Sequence, residues 1–384
     1  MIKYCTLCLY PETKPDLWFD ESGVCSACLA FGKRAEVDWA AREQEFLELV
    51  QKYRNPEGGN YDCVVPVSGG KDSTCQVIRM RQAGMNPLCV VASTDSLSSL
   101  GRRNIENLKG LGVDMVEYTL NPVIRRRMNK LCLEQVGDVS WPEHAAIFTV
   151  PIRVAVQFGV QLVVWGESSQ NEYGGPAANQ ESKVLDRRWL EEFGGLLGLR
   201  VSDLVGEADI EQRHMIPYTY PSDAELARVG VTGVFLGYYF PWDGLSNVML
   251  AQAYGFEVSP TLVEGSLANY ENLDNHQTGI HDYFKYLKYG FGRATDIANN
   301  QIRRGRLLRK DALEMVRRHD GQYPASCLGK SLEIILGEID MSKEAFDLIC
   351  DRFTNKQLFQ TDTSGQLLRD KDYRLIKQND DNPK

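Results

Sequence analysis

The chain has no apolar run approaching the ~18–20 residues a membrane helix needs. Its start, Met1-Ile2-Lys3-Tyr4-Cys5, lacks the apolar core of a signal peptide. It is therefore expected to stay in the cytoplasm, with no membrane partner. Positive charge is also short: 43 Lys and Arg against 52 Asp and Glu leave a net charge of −9. That balance argues against a broad nucleic-acid footprint, although a local basic patch survives it. Histidine is scarce, at five residues, and His144, His214, His276 and His281 fall at no metal-ligand spacing, so they read as structural or surface residues. There is no internal repeat and no long low-complexity tract. What remains is 384 residues, 43% hydrophobic and 25% charged, enough for two or three domains with buried cores.

Cysteine is the exception to this sparseness, with ten residues. Four fall as Cys5-x-x-Cys8 and Cys25-x-x-Cys28, a spacing that reads as a tetrathiolate zinc site. Disulfides are the competing reading, but they need an oxidising compartment that nothing in the chain suggests. Four thiolates would close the tetrahedron, so the zinc is expected to be structural and to supply folding energy to a segment too short for its own core. Cys63, Cys75, Cys89, Cys132, Cys327 and Cys350 are scattered in apolar settings and read as packing residues.

The strongest functional signal is Ser68-Gly69-Gly70-Lys71-Asp72-Ser73. It follows the apolar run Asp62–Val67 and precedes a helical pattern from Thr74. A strand, a small-residue turn and a helix N-terminus together form an anion site, because the glycines let backbone N–H groups approach phosphate. Lys71 adds a charge, and Ser68 and Ser73 add hydroxyl donors. The spacing is not the Walker pattern, since Asp72 follows Lys71 where that motif has Ser or Thr. An ordinary glycine turn with a capping serine is the plain alternative. The hexapeptide resembles the pyrophosphate loop (PP-loop) of the ATP pyrophosphatase superfamily, whose members split ATP to AMP and pyrophosphate and so activate an oxygen of a second substrate. That resemblance implies ATP and Mg²⁺.

Strand-like runs at 62–67, 87–93, 113–118, 161–165 and 233–240 alternate with helical patterns at 73–83, 102–111, 122–136 and 144–158. This is an α/β pattern and predicts a doubly wound parallel sheet of the PP-loop (HUP-like) kind. The expected organisation is a zinc ribbon over 1–35, a helix and linker over 36–60, the PP-loop domain over 61–264, and a strand-poor helical C-terminal domain over 265–384. Ligands bind outside the carboxyl ends of such strands. Those ends deliver Ser68–Ser73, then Ser93, Thr94 and Asp95, then Gly166 and Glu167, and last Pro241-Trp242-Asp243, all expected to line one crevice.

Each candidate carries a plainer alternative. Asp72 either helps hold the metal or is an acid favoured by the helix dipole. Ser93, Thr94 and Asp95 contact the nucleoside or simply turn the chain. Glu167 and Tyr173 sit in a polar, glycine-rich stretch that either shapes a pocket around substrate or metal or is a surface loop. Aromatics interleaved with Lys and Arg over 281–306 are either a packed helix with a solvated face or a patch for an anionic substrate, in which Arg293, Arg303 and Arg306 suit phosphate or carboxylate, with Asp296 among them. No ammonia-making domain is evident: position 2 is Ile, and no cysteine sits in a Gly-x-Cys-x-Gly elbow.

Taken together, Cys5-Thr6-Leu7-Cys8-Leu9 with Pro11, Gly23-Val24-Cys25-Ser26-Ala27-Cys28, the loop, Trp165-Gly166-Glu167 with Glu172-Tyr173-Gly174-Gly175, and Tyr283-Phe284-Lys285 through Gly290-Phe291-Gly292-Arg293-Ala294-Thr295-Asp296 resemble the bacterial N-acetyl sugar amidotransferases of lipopolysaccharide and nonulosonic-acid biosynthesis. The resemblance implies a reaction in which ATP adenylates an acetamido oxygen, ammonia replaces it, and an acetamidino group results. It assigns Lys71, Asp72 and Glu167 to catalysis. It also implies a separate glutaminase resembling that of imidazole glycerol phosphate synthase, a barrel-shaped ammonia-channel subunit, and an acetamido sugar as acceptor. The rival within the same superfamily is a transfer-RNA thiolation enzyme, which typically needs further catalytic cysteines and a basic surface. A non-catalytic zinc-ribbon adaptor is the remaining alternative.

Overall fold

The computed structural model describes residues 2–94, 96–167 and 196–378, together with the backbone of residues 184–185. Five strands run parallel: β1 (Cys63–Pro66), β2 (Pro87–Ala92), β3 (Asp114–Tyr118), β4 (Leu162–Trp165) and β6 (Thr232–Phe235). Their order is β3-β2-β1-β4-β6, with the short β5 (Val184–Leu185) antiparallel at the edge beyond β6. The order reverses direction at β1, so β1 and β4 flank the switch point where an open α/β sheet leaves a crevice.

Period-two alternation sorts the strand side chains to two faces. Val64, Leu88, Val90, Val163 and Phe235 pack with Ile124, Met128 and Trp141 of α5 (Pro122–Val136) and α6 (Trp141–Phe158). Cys63, Val65, Cys89, Val91, Val164 and Val234 face the other way, against Phe46, Val77 and Ile105 of α2 (Trp39–Tyr53), α3 (Lys71–Gln82) and α4 (Ser99–Gly110). With both faces covered, β1, β2 and β4 are apolar throughout, as buried parallel strands are, while the edge strand β3 carries Asp114 and Glu117. Local signals set the helix starts: Pro122 opens α5 behind Asn121, whose side chain accepts from Val123 N–H and Ile124 N–H, and Ser98 caps α4 by accepting from Gly101 N–H.

The run 233–240 is not one strand. β6 stops at Phe235, and Leu236–Tyr239 form a single helical turn. The turn is fixed where the Gly237 N–H donates to Gly166 O at 2.9 Å, tying the ends of β4 and β6 together.

Beyond residue 277 come the helices Thr278–Tyr289, Arg293–Arg303, Arg309–His319, Leu332–Gly337 and Lys343–Phe353, plus a two-residue hairpin at Ser326–Cys327 and Lys330–Ser331. Ile280, Phe284, Leu287, Leu336 and Phe346 form a core that also takes in Leu133 of α5. A strap over 269–277 joins these helices to the sheet domain. It bridges Leu97 to Asn275, its Asp274 O accepts from Ser98 N–H at 2.8 Å, and its His276 N–H donates to Ser96 O at 3.0 Å. Gly101 is what lets the strap lie so close, since a Cβ there would come within 2.6 Å of Asp274 Cα.

Candidate active site at the sheet's carboxyl edge

The loop after β1 is built for backbone contact. Gly69 adopts φ +83°, in the left-handed region, and a Cβ on it would meet the Ile105 side chain at 2.8 Å and its backbone N at 3.0 Å. α3 then starts at Lys71, two residues earlier than its apolar pattern suggests, because Ser73 Oγ and Thr74 Oγ1 both donate to Gly70 O at 2.9 Å and tighten the first turn. The first N–H groups of such a helix have no intrahelical acceptor, and together with the dipole they favour an anion at this end.

Lys71 is the charged centre of this edge, with its side chain only 9% exposed. Its Nζ lies 2.7 Å from Asp72 Oδ2 and 3.2 Å from Glu271 Oε1, and 5.7 Å from the centre of the Tyr270 ring. Burial pulls the ammonium pKa down, but Asp72, Glu271 and Glu167 outweigh it and hold the group above the usual lysine value. Asp72 also accepts from Asn247 Nδ2 at 2.8 Å. Asp72, Glu271 and Glu167 thus surround one buried ammonium beside a helix N-terminus, a balance of charge that an incoming anion would redistribute.

These groups open on a cavity of about 420 Å³, within the range of small-molecule sites. Ser68–Ser73, Ser93, Thr94 and Glu167 line it, as three of the four strand ends were expected to. Ser93 Oγ also donates to Tyr118 O at 2.9 Å. Gly166 lies just behind this wall, its carbonyl engaged with Gly237. Arg293 lines the cavity from the helical side, with its Nε 3.4 Å from Asp282 Oδ2. Asp95 and Tyr173, with the Glu172–Gly175 stretch, lie outside the described residues.

The remaining expected substrate contacts are not brought to this cavity. Asp243 caps the helix Gly244–Ala253 through Ser246 and is clamped by Arg304 at 2.9 Å and by both terminal nitrogens of Arg306 at 2.9 and 2.8 Å. It faces a small adjoining space shared with Lys71 and Glu167. Arg306 is thereby committed to a carboxylate of its own chain. Asp296 accepts from Tyr10 Oη at 2.9 Å and from Lys285 Nζ. Arg303 donates to Asn300 Oδ1 and lies over the Tyr10 ring. Both therefore serve the seat of the N-terminal cysteine segment.

That segment gathers Cys5, Cys8, Cys25 and Cys28, all buried, with their sulfurs within 4.8 Å of one another. The Cys5–Cys28 and Cys8–Cys25 sulfurs are 3.9 and 3.6 Å apart. A tetrahedral site with Zn–S of about 2.3 Å requires sulfur separations of about 3.8 Å, so the cluster fits zinc. Backbone N–H groups of Leu7, Cys8 and Cys25 point at Cys5 Sγ at 3.4, 3.4 and 3.2 Å, as they would at a thiolate. The other six cysteines are buried, and burial pushes the Cys75, Cys89 and Cys327 thiols up to about 12.

Sequence reasoning missed the part of the cavity lining that the strap and α6 supply. Tyr270, Glu271 and Asp274 arrive on the strap, and Glu143 and His144 on the first turn of α6. Burial and the nearby Glu143 push the Asp274 carboxyl up to about 7. Asp138, in the α5–α6 turn, accepts from His281 Nδ1 at 2.7 Å and from Ser140 N–H at 2.9 Å, and His144 Nδ1 lies 3.8 Å from its other oxygen. The two imidazoles meet edge to face with ring centres 5.1 Å apart, and both line the cavity. Burial raises the Asp138 pKa, but the two histidines outweigh it and hold the carboxyl below its usual range. Only the crowding of Asp and Asn in 269–277 hinted at a site there, and no local pattern marked the histidines.

Strand order, loop and cleft together define an open α/β fold with an anion-binding loop at its switch point and an N-terminal cysteine cluster able to bind zinc. Residues 264–374, which include the strap and most of the helical region, match the family described as LPS biosynthesis protein WbpG-like, C-terminal domain. An uncharacterized protein of Methanocaldococcus jannaschii is 27% identical over 151 residues, 35% of this chain. The chain spans about half the length of that curated relative, 54%. Among solved structures, NMN synthetase from Francisella tularensis aligns over 59% of this chain and 100% of its own at 11% identity and a TM-score of 0.28. A predicted subunit of tRNA methyltransferase from Methanocaldococcus jannaschii aligns over 47% and 93% at 18% identity and a TM-score of 0.23. Likenesses of that extent do not define a fold; the strand order and the loop do. Among the described residues no helix is long and apolar enough to cross a membrane.

Proposed function

We propose that this protein is an ATP-dependent, AMP- and pyrophosphate-forming amidotransferase that converts a sugar acetamido group to an acetamidino group in lipopolysaccharide or nonulosonic-acid biosynthesis. The observation that carries the reading is the single cleft in which a pyrophosphate loop faces a WbpG-like domain. An amide oxygen is a poor leaving group and AMP is a good one, so adenylation makes the carbon open to ammonia. The loop N–H groups and Lys71 would stabilise the charge that builds on departing pyrophosphate. Asp72, with Glu167, would be the residue to hold Mg²⁺, which would supply neutralisation of phosphate charge. Ammonia would come from a partner glutaminase through a barrel-shaped channel subunit, because it must arrive neutral and shielded from bulk water. The buried cysteines and the net charge of −9 weigh against transfer-RNA thiolation, since no cysteine among the described residues lines the cleft.

The test is incubation with ATP, Mg²⁺, ammonium and a panel of nucleotide-linked and free acetamido sugars. Pyrophosphate release that requires the sugar, with the product lighter by the replacement of O by NH, is expected. Release that requires transfer RNA and not sugar would overturn the reading.

A further inference from the structure

We propose that His281, held by Asp138 and paired with His144, is the proton-transfer residue of this site, taking the N–H proton of the acceptor amide as its oxygen attacks ATP. The inference rests on the amidotransferase reading and deepens it. Asp138 can only accept, so the His281 Nδ1 carries the proton in their 2.7 Å hydrogen bond, leaving Nε2 with its lone pair. The imidazole is a quarter exposed and lines the same cavity as the pyrophosphate loop. Geometry thus supplies an oriented base, a carboxylate behind it, and a cavity in front.

The chemistry needs such a base. As the amide N–H proton passes to His281, its electron pair forms C=N, the carbonyl pair goes to oxygen, and oxygen bonds the α-phosphorus while the bond to pyrophosphate breaks. The product is an uncharged adenylyl imidate. Ammonia then adds its lone pair to the imidate carbon, the imidate nitrogen takes back the proton, and AMP leaves with the C–O pair. A proton from the new nitrogen passes to His281, leaving a protonated amidine. Summed over both steps, amide, ATP and ammonia give amidinium, AMP, pyrophosphate and one proton, which the imidazole hands to solvent. No redox partner is required.

The two histidines are set apart by their surroundings. Around His281 stand Asp138, His144, Asp282 and Lys285, and burial, which lowers its pKa, is outweighed by Asp138. Around His144 stand Asp138, His281, Glu143 and Arg125, and burial prevails, keeping that ring neutral. Paired groups driven in opposite directions are a signature of divided acid and base roles.

The test follows sugar-dependent pyrophosphate release over about pH 5.5–9, spanning histidine titration. In the wild type, kcat should fall on the acid side, below a value above the free histidine pKa of about 6.5. His281→Gln should lower kcat by about 10²-fold or more and remove that acid limb, while the KM for ATP moves by less than about threefold. Asp138→Asn, which also serves if His281→Gln does not fold, should move the acid limb to lower pH, since the imidazolium loses its carboxylate. A purely structural role would leave the limb in place in both variants, and an unmoved limb, or a kcat within about threefold of wild type in His281→Gln, overturns the assignment. No sugar-dependent turnover in the wild type would instead overturn the amidotransferase reading and this assignment with it.

Discussion

Replacing Lys71 by methionine keeps the aliphatic stem and removes the charge. The ammonium is 9% exposed and touches carboxylates at 2.7 and 3.2 Å. Breaking a buried ion pair by deleting one partner costs about 3–5 kcal/mol. Asp72 and Glu271 keep some contact with water, so the lower end, about 3 kcal/mol, is expected. In urea that should move the unfolding midpoint of the protein by up to about 1 M, since m grows with chain length. The sign with pH follows from a folded-state pKa raised above the unfolded one. Such stabilisation is fully present below the unfolded value of about 10.4 and is lost only as pH rises through the folded value. The gap between wild type and Lys71→Met should therefore stay flat from about pH 6 to 9. Turnover should fall by about 10²–10³-fold, the usual loss for one donor facing developing charge. Urea titrations at three pH values and a pyrophosphate assay measure both quantities. A variant with wild-type turnover, or a stability gap that closes before about pH 9, would refute the argument.

Other sites give sharper or simpler tests. Gly69→Ala should lose ATP binding in calorimetry and cost at least about 1–2 kcal/mol for the left-handed backbone alone, before the clash with Ile105 is counted. Metal analysis should find one zinc per chain, and Cys25→Ser should lose both the zinc and soluble expression; a folded, metal-free Cys25→Ser protein would point to a different role for the cluster. Asp274→Asn should be more stable than wild type by an amount that grows from about pH 4 to 7 and then levels off, because a carboxyl whose pKa is raised to about 7 in the fold penalises the native state across that window. Unfolding midpoints at about pH 4, 6 and 8 check it.

What the sequence revealed and what it hid divide along the range of the forces. The loop and the cysteine pairs are local, with spacing carrying the geometry, so both were legible. Short apolar runs located every parallel strand, although the run 233–240 overshot, because nothing local announces that Gly237 must meet Gly166. The basic segment around 281–306 misled for a related reason. Charge and aromatic spacing identify Arg303, Asp296 and Arg306 as paired residues but not their partners, and Tyr10, the ribbon and Asp243 arrive from far along the chain. His281 and Asp138 belong together only once the helix Thr278–Tyr289 packs beside the α5–α6 turn. Scarce histidines without motif spacing looked ordinary for the same reason.

The strap over 269–277 divides the lining of the cavity between two stretches of chain. The nucleotide loop and the strand ends sit on one side, and Tyr270, Glu271, Asp274, His281 and Arg293 come from the other. A lineage could therefore exchange or remodel the segment from about residue 264 onward and change one part of the cavity lining while the loop after β1 stayed untouched. The same seam predicts that neither half, expressed by itself, retains a complete site. Because the seam between these parts passes through the cavity, a chimera would have to preserve Gly101 and the Ser98–Asp274 contact for the two linings to meet.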